Sequence, residues 1–149
     1  MRPRHRHIDR LASVAVLATL ALIPACSSGA PPFSGPTVSV TLRDFKIEAS
    51  APTVAPGEVR FQVHNDGPST HEFVVLRTDY PSGGLPLGSD GITVDEEAEG
   101  IDHVGEIQEA ELGESQTLVL RLTPGNYVLF CNLEGHYLGG MRFPLKVSR

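Results

Sequence analysis

The sequence contains no tryptophan, and aromatic residues make up only 6% of its 149 positions. It also lacks an internal repeat and any apolar run long enough to span a bilayer comfortably, which argues against repeat arrays and polytopic membrane proteins. Instead it has 15 glycines and 12 prolines, which are typical of many turns between short segments. Length and composition therefore fit one globular domain, and we expect an all-β sandwich or barrel.

Basic residues are scarce outside the first ten positions, where MRPRHRHIDR holds four arginines. The apolar run that follows, LASVAVLATLALI, has the length of a signal-peptide core. Removing residues 1–25 takes away four of the 12 basic and one of the 18 acidic side chains, which leaves a formal charge of −9. This balance argues against nucleic acid as a partner and would repel an anionic membrane surface.

The apolar run ends in LIPAC, where the small Ala25 directly precedes Cys26. This stretch resembles the lipobox of bacterial lipoproteins, in which the cysteine is lipidated and becomes the mature N-terminus. The resemblance implies a signal peptide over residues 1–25, export, and a lipid anchor at Cys26 that holds the protein to a membrane on the extracytoplasmic side, in the periplasm or at the cell surface. Ordinary cleavage after Ala30 is the alternative, but Pro31 would follow that cut and hinder it.

The next segment, residues 26–36, is small and proline-rich, and we interpret it as a flexible tether. We expect the folded domain to cover residues 37–149, where apolar residues alternate in short runs. Near its start, TVSVTLRDFKIEA predicts two facing strand segments, with Phe45 and Ile47 continuing the apolar alternation in the second and a kink or bulge near Asp44. A later strand has three apolar residues on one face: Val59, Phe61 and Val63.

Lysine and arginine are absent from Tyr80 to Ser115, a segment that contains ten acidic residues. We interpret this segment as a long acidic excursion between strands, partly irregular, with a short helical turn near Asp95 to Glu99. A solvated acidic flap is the simpler interpretation. An acidic face that steers a basic partner is the alternative.

The sequence has two cysteines, Cys26 and Cys131. Two cysteines in an exported protein ordinarily suggest one disulfide. If Cys26 carries lipid, Cys131 has no partner and is a free thiol in an oxidising compartment. Metal ligation would protect this thiol, because a coordinated thiolate is held inside its site.

Cys131 belongs to the stretch CNLEGHYLGGM, which places one cysteine, one histidine and one methionine five residues apart, at Cys131, His136 and Met141. Steps of five do not bring side chains together on a helix or a strand. A loop folded around a common point can do so, and its three glycines give it a permissive backbone. The spacing therefore predicts a loop that wraps one ligand.

A thiolate, an imidazole and a thioether form a soft donor set, which favours copper, especially Cu(I), over calcium or magnesium. The loop lacks a third strong ligand. The best candidate is His71, because it follows the NDGPST turn and begins a strand that can reach the same end of the sandwich. Two histidines and one cysteine with a long axial methionine are the arrangement of electron-transfer copper sites.

The segments NDGPSTHEF and YVLFCNLEGHYLGGM together resemble the cupredoxin family, and within it the sulfocyanin and rusticyanin branch. The resemblance implies a Greek-key β-sandwich, one type 1 (blue) copper ion, and one-electron transfer between redox protein partners, by a monomer that is not an enzyme. It implies four copper ligands: His71, Cys131, His136 and Met141. The sequence departs from many cupredoxins at Glu72, where asparagine or serine is common. Which hydrogen bond reaches the cysteine sulfur from that position is therefore an open question.

Alternatives from other classes remain at this stage. A copper carrier that delivers metal to an oxidase would show exposed Met/His clusters, and a non-redox β-sandwich lipoprotein would not need an intact ligand set. Zinc can bind two histidines and a cysteine, but the spacing fits no zinc finger. A thiol hydrolase has no role for methionine. We expect His64 and His103 to be surface histidines, and Leu133, Tyr137 and Leu138 either to form an apolar docking patch or to pack inward.

Overall fold

The structure is a computed structural model, and it describes residues 32–149. The predicted signal peptide, residues 1–25, and the predicted lipidation of Cys26 lie outside the described residues. Contacts group Phe33–Arg149 into one compact unit. No helix within residues 32–149 is long and apolar enough to cross a membrane.

The described part of the chain is built from β-strands and contains no helix. The strands are β1 (Thr37–Arg43), β2 (Lys46–Ala49), β3 (Thr53–Val54), β4 (Gly57–Asn65), β5 (His71–Thr78), β6 (Ile101–Ala110), β7 (Ser115–Leu122), β8 (Gly125–Phe130) and β9 (Arg142–Val147). They form a four-stranded sheet of order β2-β1-β4-β7 and a five-stranded sheet of order β3-β9-β8-β5-β6. Both sheets are mixed, because β1 pairs with β4, and β3 with β9, in parallel.

The main core lies between the two sheets, and strand alternation creates it. In β4 the apolar residues Val59, Phe61 and Val63 are buried, while the residues between them face outward. Phe61 of one sheet packs against Phe73 of the other, with ring centroids 5.5 Å apart. Each such side chain contributes roughly 1.5–3 kcal/mol by burial, so contacts of this kind stabilise the packing of the two layers. The predicted all-β sandwich is confirmed.

The N-terminal strands form a hairpin, and this corrects a detail of the sequence interpretation. There is no kink or bulge near Asp44; β1 and β2 are antiparallel, and their last pair before the turn is Arg43 with Lys46. Asp44 and Phe45 make the tight turn, in which Phe45 has φ 61°, the one non-glycine residue with positive φ among the described residues. Its side chain is 52% exposed, although the apolar pattern placed it with the core residue Ile47.

The acidic excursion is shorter than the sequence predicted. The irregular part runs between β5 and β6, over residues 79–100, and β6 occupies much of the remainder. The prediction of a short helical turn near Asp95 to Glu99 is wrong, because no helix forms there. The residues instead make two separate turns, in which Ala98 N–H donates to the carbonyl of Asp95 and Ile101 N–H donates to the carbonyl of Ala98. The excursion covers the outer face of the five-stranded sheet, where Leu85 and Val94 join a second apolar cluster.

Candidate metal centre

Three chain segments meet at one end of the sandwich because β5 and β8 are antiparallel neighbours. Their register pairs Val74 with Phe130, so the start of β5 lies beside the end of β8. His71 is the first residue of β5, and Cys131 directly follows β8. The loop from Cys131 to Met141 then leads into β9, which pairs with β8 on its other side. Strand pairing therefore brings together residues that are sixty positions apart.

The donor atoms of the three strongest candidate ligands converge. Nδ1 of His71 lies 3.3 Å from Nδ1 of His136, and Sγ of Cys131 lies 3.4 Å from the same His136 atom. All three donor atoms lie within 4.8 Å of one another. His71 and Cys131 are fully buried, and His136 is half-buried. The structure thus brings together the histidines and cysteine that the sequence predicted as ligands.

The loop is closed by its own backbone. Cys131 N–H donates to the carbonyl of Met141 over 3.2 Å, and Met141 N–H donates to the carbonyl of His136 over 3.0 Å. Gly135 and Gly140 adopt φ values of 77° and 113°, in the region that favours glycine. Met141 is fully buried in the same core cluster as Cys131. The fourth predicted ligand is therefore buried, and its backbone is hydrogen-bonded to that of the cysteine.

Sequence reasoning missed Asn65, which positions His71. Its buried side-chain amide donates to the carbonyls of Ser69 and Ala110, each over 2.8 Å, and its Oδ1 accepts from Gly67 N–H over 3.0 Å. These bonds fix the turn before β5. A Cβ on Gly67 would lie 2.8 Å from Nε2 of His71, so this turn also needs a glycine at that place. The NDG signature predicted a turn but not its contact with the histidine.

Asp44 is a second residue that the sequence did not point to. Its Oδ1 lies 3.2 Å from Nε2 of His71. The alignment is too poor for a hydrogen bond, so this buried ring nitrogen has no hydrogen-bond partner among the described residues. Ser69 holds the same carboxylate, since its hydroxyl donates to Oδ2 over 3.2 Å. The β1–β2 turn therefore places a carboxylate against the back of the candidate ligand.

The question that the sequence raised at Glu72 has a clear structural answer. The backbone N–H of Glu72 donates to Sγ of Cys131 over 3.3 Å, so the hydrogen bond to the sulfur does not use the side chain. Burial raises the pKa of the Cys131 thiol, and this N–H opposes the rise. Burial also lowers the pKa of His71, as does the charge of His136. Without a cation, the site therefore favours uncharged groups.

The surface above the cluster is apolar but differs from the predicted patch. Leu138 is 50% exposed, whereas Tyr137 is buried, with its hydroxyl accepting from Leu85 N–H and donating to the carbonyl of Ser82, each over 2.9 Å. Tyr137 therefore anchors the excursion and cannot be a docking residue. Phe45 is an exposed aromatic residue beside the cluster, since its ring meets that of His136 edge-on at 5.5 Å.

Solved structures match this chain across its sandwich. An auracyanin from Roseiflexus castenholzii is 18% identical, with a TM-score of 0.58, and the match covers 78% of this chain and 100% of that one. Auracyanin B is 22% identical, with a TM-score of 0.53 and coverage of 76% and 89%. Rusticyanin from Thiobacillus ferrooxidans is 19% identical, with a TM-score of 0.52 and coverage of 78% and 80%. The chain has the cupredoxin fold. No family model and no curated protein match the sequence.

The donor atoms at this end of the cupredoxin fold fit a single metal ion. Atoms that each lie about 2.0–2.3 Å from a shared ion, at angles near 110–120°, are separated by about 3.3–4 Å. The separations of 3.3 and 3.4 Å between the donor atoms agree with this range. Because Nδ1 of His71 faces the cluster, the proton of a metal-bound ring would sit on Nε2, next to Asp44, as is usual for metal-ligating histidines.

The remaining histidines lie elsewhere. Nδ1 of His64, on β4, is 2.9 Å from the hydroxyl of Ser115. His103, on β6, has a side chain that is 34% exposed and lies between the carboxylates of Glu96 and Glu106. The prediction that these two are surface histidines is confirmed, since His103 is exposed and His64 is partly exposed. His103 also has companions that its sequence context did not reveal.

Proposed function

We propose that this protein is a type 1 (blue) copper protein that carries single electrons between redox partners outside the cytoplasmic membrane. The observation that carries the proposal is the convergence of two imidazole Nδ1 atoms and one buried thiol, with Met141 beside them, at one end of a cupredoxin fold. This donor set is soft and matches the two-histidine, one-cysteine arrangement with a weak methionine that electron-transfer copper uses. His71, Cys131, His136 and Met141 are the proposed ligands of one copper ion.

Copper in this site would supply the exchange of one electron between Cu(I) and Cu(II). The protein's part is to hold the ligands still, since the paired strands β5 and β8 fix His71 and Cys131 on a rigid scaffold. The N–H of Glu72 stabilises the thiolate by a hydrogen bond. Burial keeps water from the sulfur. No step here needs a substrate pocket or a catalytic group, and we propose that the protein is not an enzyme.

We propose that electrons enter and leave through His136, because it is the half-buried member of the cluster. The exposed side chains of Phe45 and Leu138 supply an apolar surface near its ring, where a redox protein partner can approach closely. We further propose export and a lipid anchor at Cys26, with residues 26–36 as a tether and residues 37–149 as the copper-binding domain of a monomer. The lipobox-like LIPAC motif supports the anchor.

The test is to purify residues 31–149, add Cu(II), and record the visible spectrum beside those of two variants. We expect an intense blue band in the parent and in His64→Gln, which removes a histidine hydrogen-bonded on β4. The band should be absent in Cys131→Ser. A colourless protein that binds copper weakly would contradict electron transfer and favour a non-redox sandwich. Colourless copper that passes readily to an acceptor chelator would favour a carrier.

A further inference from the structure

A second group of metal-ligating side chains lies on the outer face of the five-stranded sheet. Nε2 of His103 lies 3.4 Å from Oε2 of Glu96 and 3.7 Å from Oε2 of Glu106. One ligand atom from each of these residues lies within 4.8 Å of the other two. None of the three is a proposed copper ligand, and the electron-transfer proposal gives them no role.

A β-bulge in β6 creates the grouping. Leu76 pairs with His103 and Val75 pairs with Gly105, so Val104 is an extra residue in β6. Residues three apart on a regular strand point to opposite faces. The extra residue places His103 and Glu106 on one face instead. Bulges that re-aim a side chain are common next to functional sites.

The third ligand comes from the excursion and is held in place independently. Nδ2 of Asn132 donates to Oε1 of Glu96 over 2.7 Å, while Oδ1 of Asn132 accepts from Val94 N–H, also over 2.7 Å. These bonds leave Oε2 of Glu96 to face the imidazole. The carboxylate therefore needs no rearrangement to serve as a ligand.

The charge at this position is poorly compensated. The side chains of Glu96 and Glu106 are only 23% and 30% exposed, and neither forms an ion pair with a lysine or arginine within residues 32–149. Burial raises the pKa of Glu96 and the charge of Glu106 adds to the rise, while the hydrogen bond from Asn132 and the charge of His103 oppose it. A bound cation would neutralise both carboxylates, as would a protonated His103, which is the competing explanation.

We propose that Glu96, His103 and Glu106 form a second metal site that binds a divalent ion such as Zn²⁺ and fixes the acidic excursion to β6. Zinc takes imidazole nitrogens and carboxylate oxygens as ligands, often three from the protein with a water in the fourth position, whereas calcium takes six to eight oxygen ligands. Ligands about 2.1 Å from a tetrahedral ion are about 3.4 Å apart, which agrees with the observed 3.4 and 3.7 Å.

The test is calorimetric titration of the copper-loaded protein with ZnCl₂, with the blue band recorded to show that copper stays in place. We expect one Zn²⁺ per chain, and affinity at least about tenfold weaker in both Glu96→Gln and His103→Gln. The control is Glu109→Gln, which removes an exposed carboxylate from the same strand and should bind Zn²⁺ like the parent. CaCl₂ should bind more weakly than ZnCl₂ in the parent.

The same titration in Cys131→Ser makes the result independent of the proposed copper site, since that variant should still bind one Zn²⁺ at the second site. If a protonated His103 already neutralises the two carboxylates, the parent should bind no Zn²⁺, and that result would overturn the proposal. Equal Zn²⁺ affinity in the parent and His103→Gln would also overturn it. Thermal unfolding of each variant without zinc checks that it is folded.

Discussion

Oδ1 of Asp44 lies 3.2 Å from Nε2 of His71. This is the ring nitrogen that faces away from the cluster of donor atoms. Although no hydrogen bond joins the two groups, the carboxylate charge lies against the nitrogen that would carry the proton of a metal-bound His71, where it favours that tautomer and raises the basicity of the ring. The contact joins the β1–β2 turn to the start of β5, two segments from different sheets. It makes the turn part of the metal centre, although nothing in its sequence marks it as such.

Replacing this carboxylate gives the first prediction. In Asp44→Asn the blue band should persist, but Cu(II) binding should weaken by about tenfold or more, because His71 loses an oriented negative partner. If Cu(I) binding is unchanged, a tenfold loss corresponds to a rise of about 59 mV in the reduction potential. Voltammetry measures this shift. Asp66→Asn is the matched control, since it removes an exposed carboxylate paired with Arg43, and an equal shift there would contradict the assignment.

The hydrogen bond from Glu72 to the cysteine sulfur gives a second prediction, in which nothing should change. Because the donor is the backbone N–H, Glu72→Gln keeps this hydrogen bond and removes only the carboxylate charge, which is the smallest of the influences on the pKa of Cys131. The position and intensity of the blue band should therefore match the parent. The visible spectrum checks this directly, with Glu134→Gln in the exposed part of the loop as the control. A displaced or weakened band in Glu72→Gln alone would show that the side chain acts on the copper.

Close packing between Gly139 and Phe45 gives a third prediction. A Cβ on Gly139 would collide with the Phe45 ring, so Gly139→Ala should lower the free energy of unfolding by about 1–3 kcal/mol, as overpacking does. Truncating the ring should remove the clash. The double variant Gly139→Ala/Phe45→Ala should therefore be destabilised by less than the sum of the two single variants. Urea unfolding of all four proteins measures the coupling, and strict additivity would argue against it.

The buried hydroxyl of Tyr137 gives a fourth prediction. Tyr137→Phe leaves Leu85 N–H without its acceptor, and an unsatisfied buried donor costs about 1–3 kcal/mol. We expect this loss in the free energy of unfolding, together with faster amide exchange in the excursion. Tyr80→Phe is the control, because its exposed hydroxyl makes only a 3.3 Å bond to the carbonyl of Glu99. Equal stability of the two variants would mean that Tyr137 does not anchor the excursion.

Strand alternation and turn residues were enough to predict the β-sandwich, because period-two burial follows directly from strand geometry. They failed where backbone conformation overrode the apolar pattern. Phe45 looked like a core residue, but its position in a tight turn exposes it. The sequence pattern places the strand Ile101–Ala110 inside the acidic excursion, because its bulges break the alternation that identifies a strand. Tyr137 left both docking and packing open, and only its hydrogen bonds to the excursion decided between them.

The sequence by itself determined the chemistry of the candidate centre. Residue types and five-residue spacing specify a soft donor set in a loop, and these are properties of the chain that need no tertiary contact. The tertiary structure decided which groups surround that set, because strand pairing and register bring distant residues together. Through it Asp44 reaches His71, the backbone of Glu72 reaches Cys131, and His103 lies between two glutamates. These contacts depend on turns and bulges, and strand pairing across the sheet determines where the side chains there point.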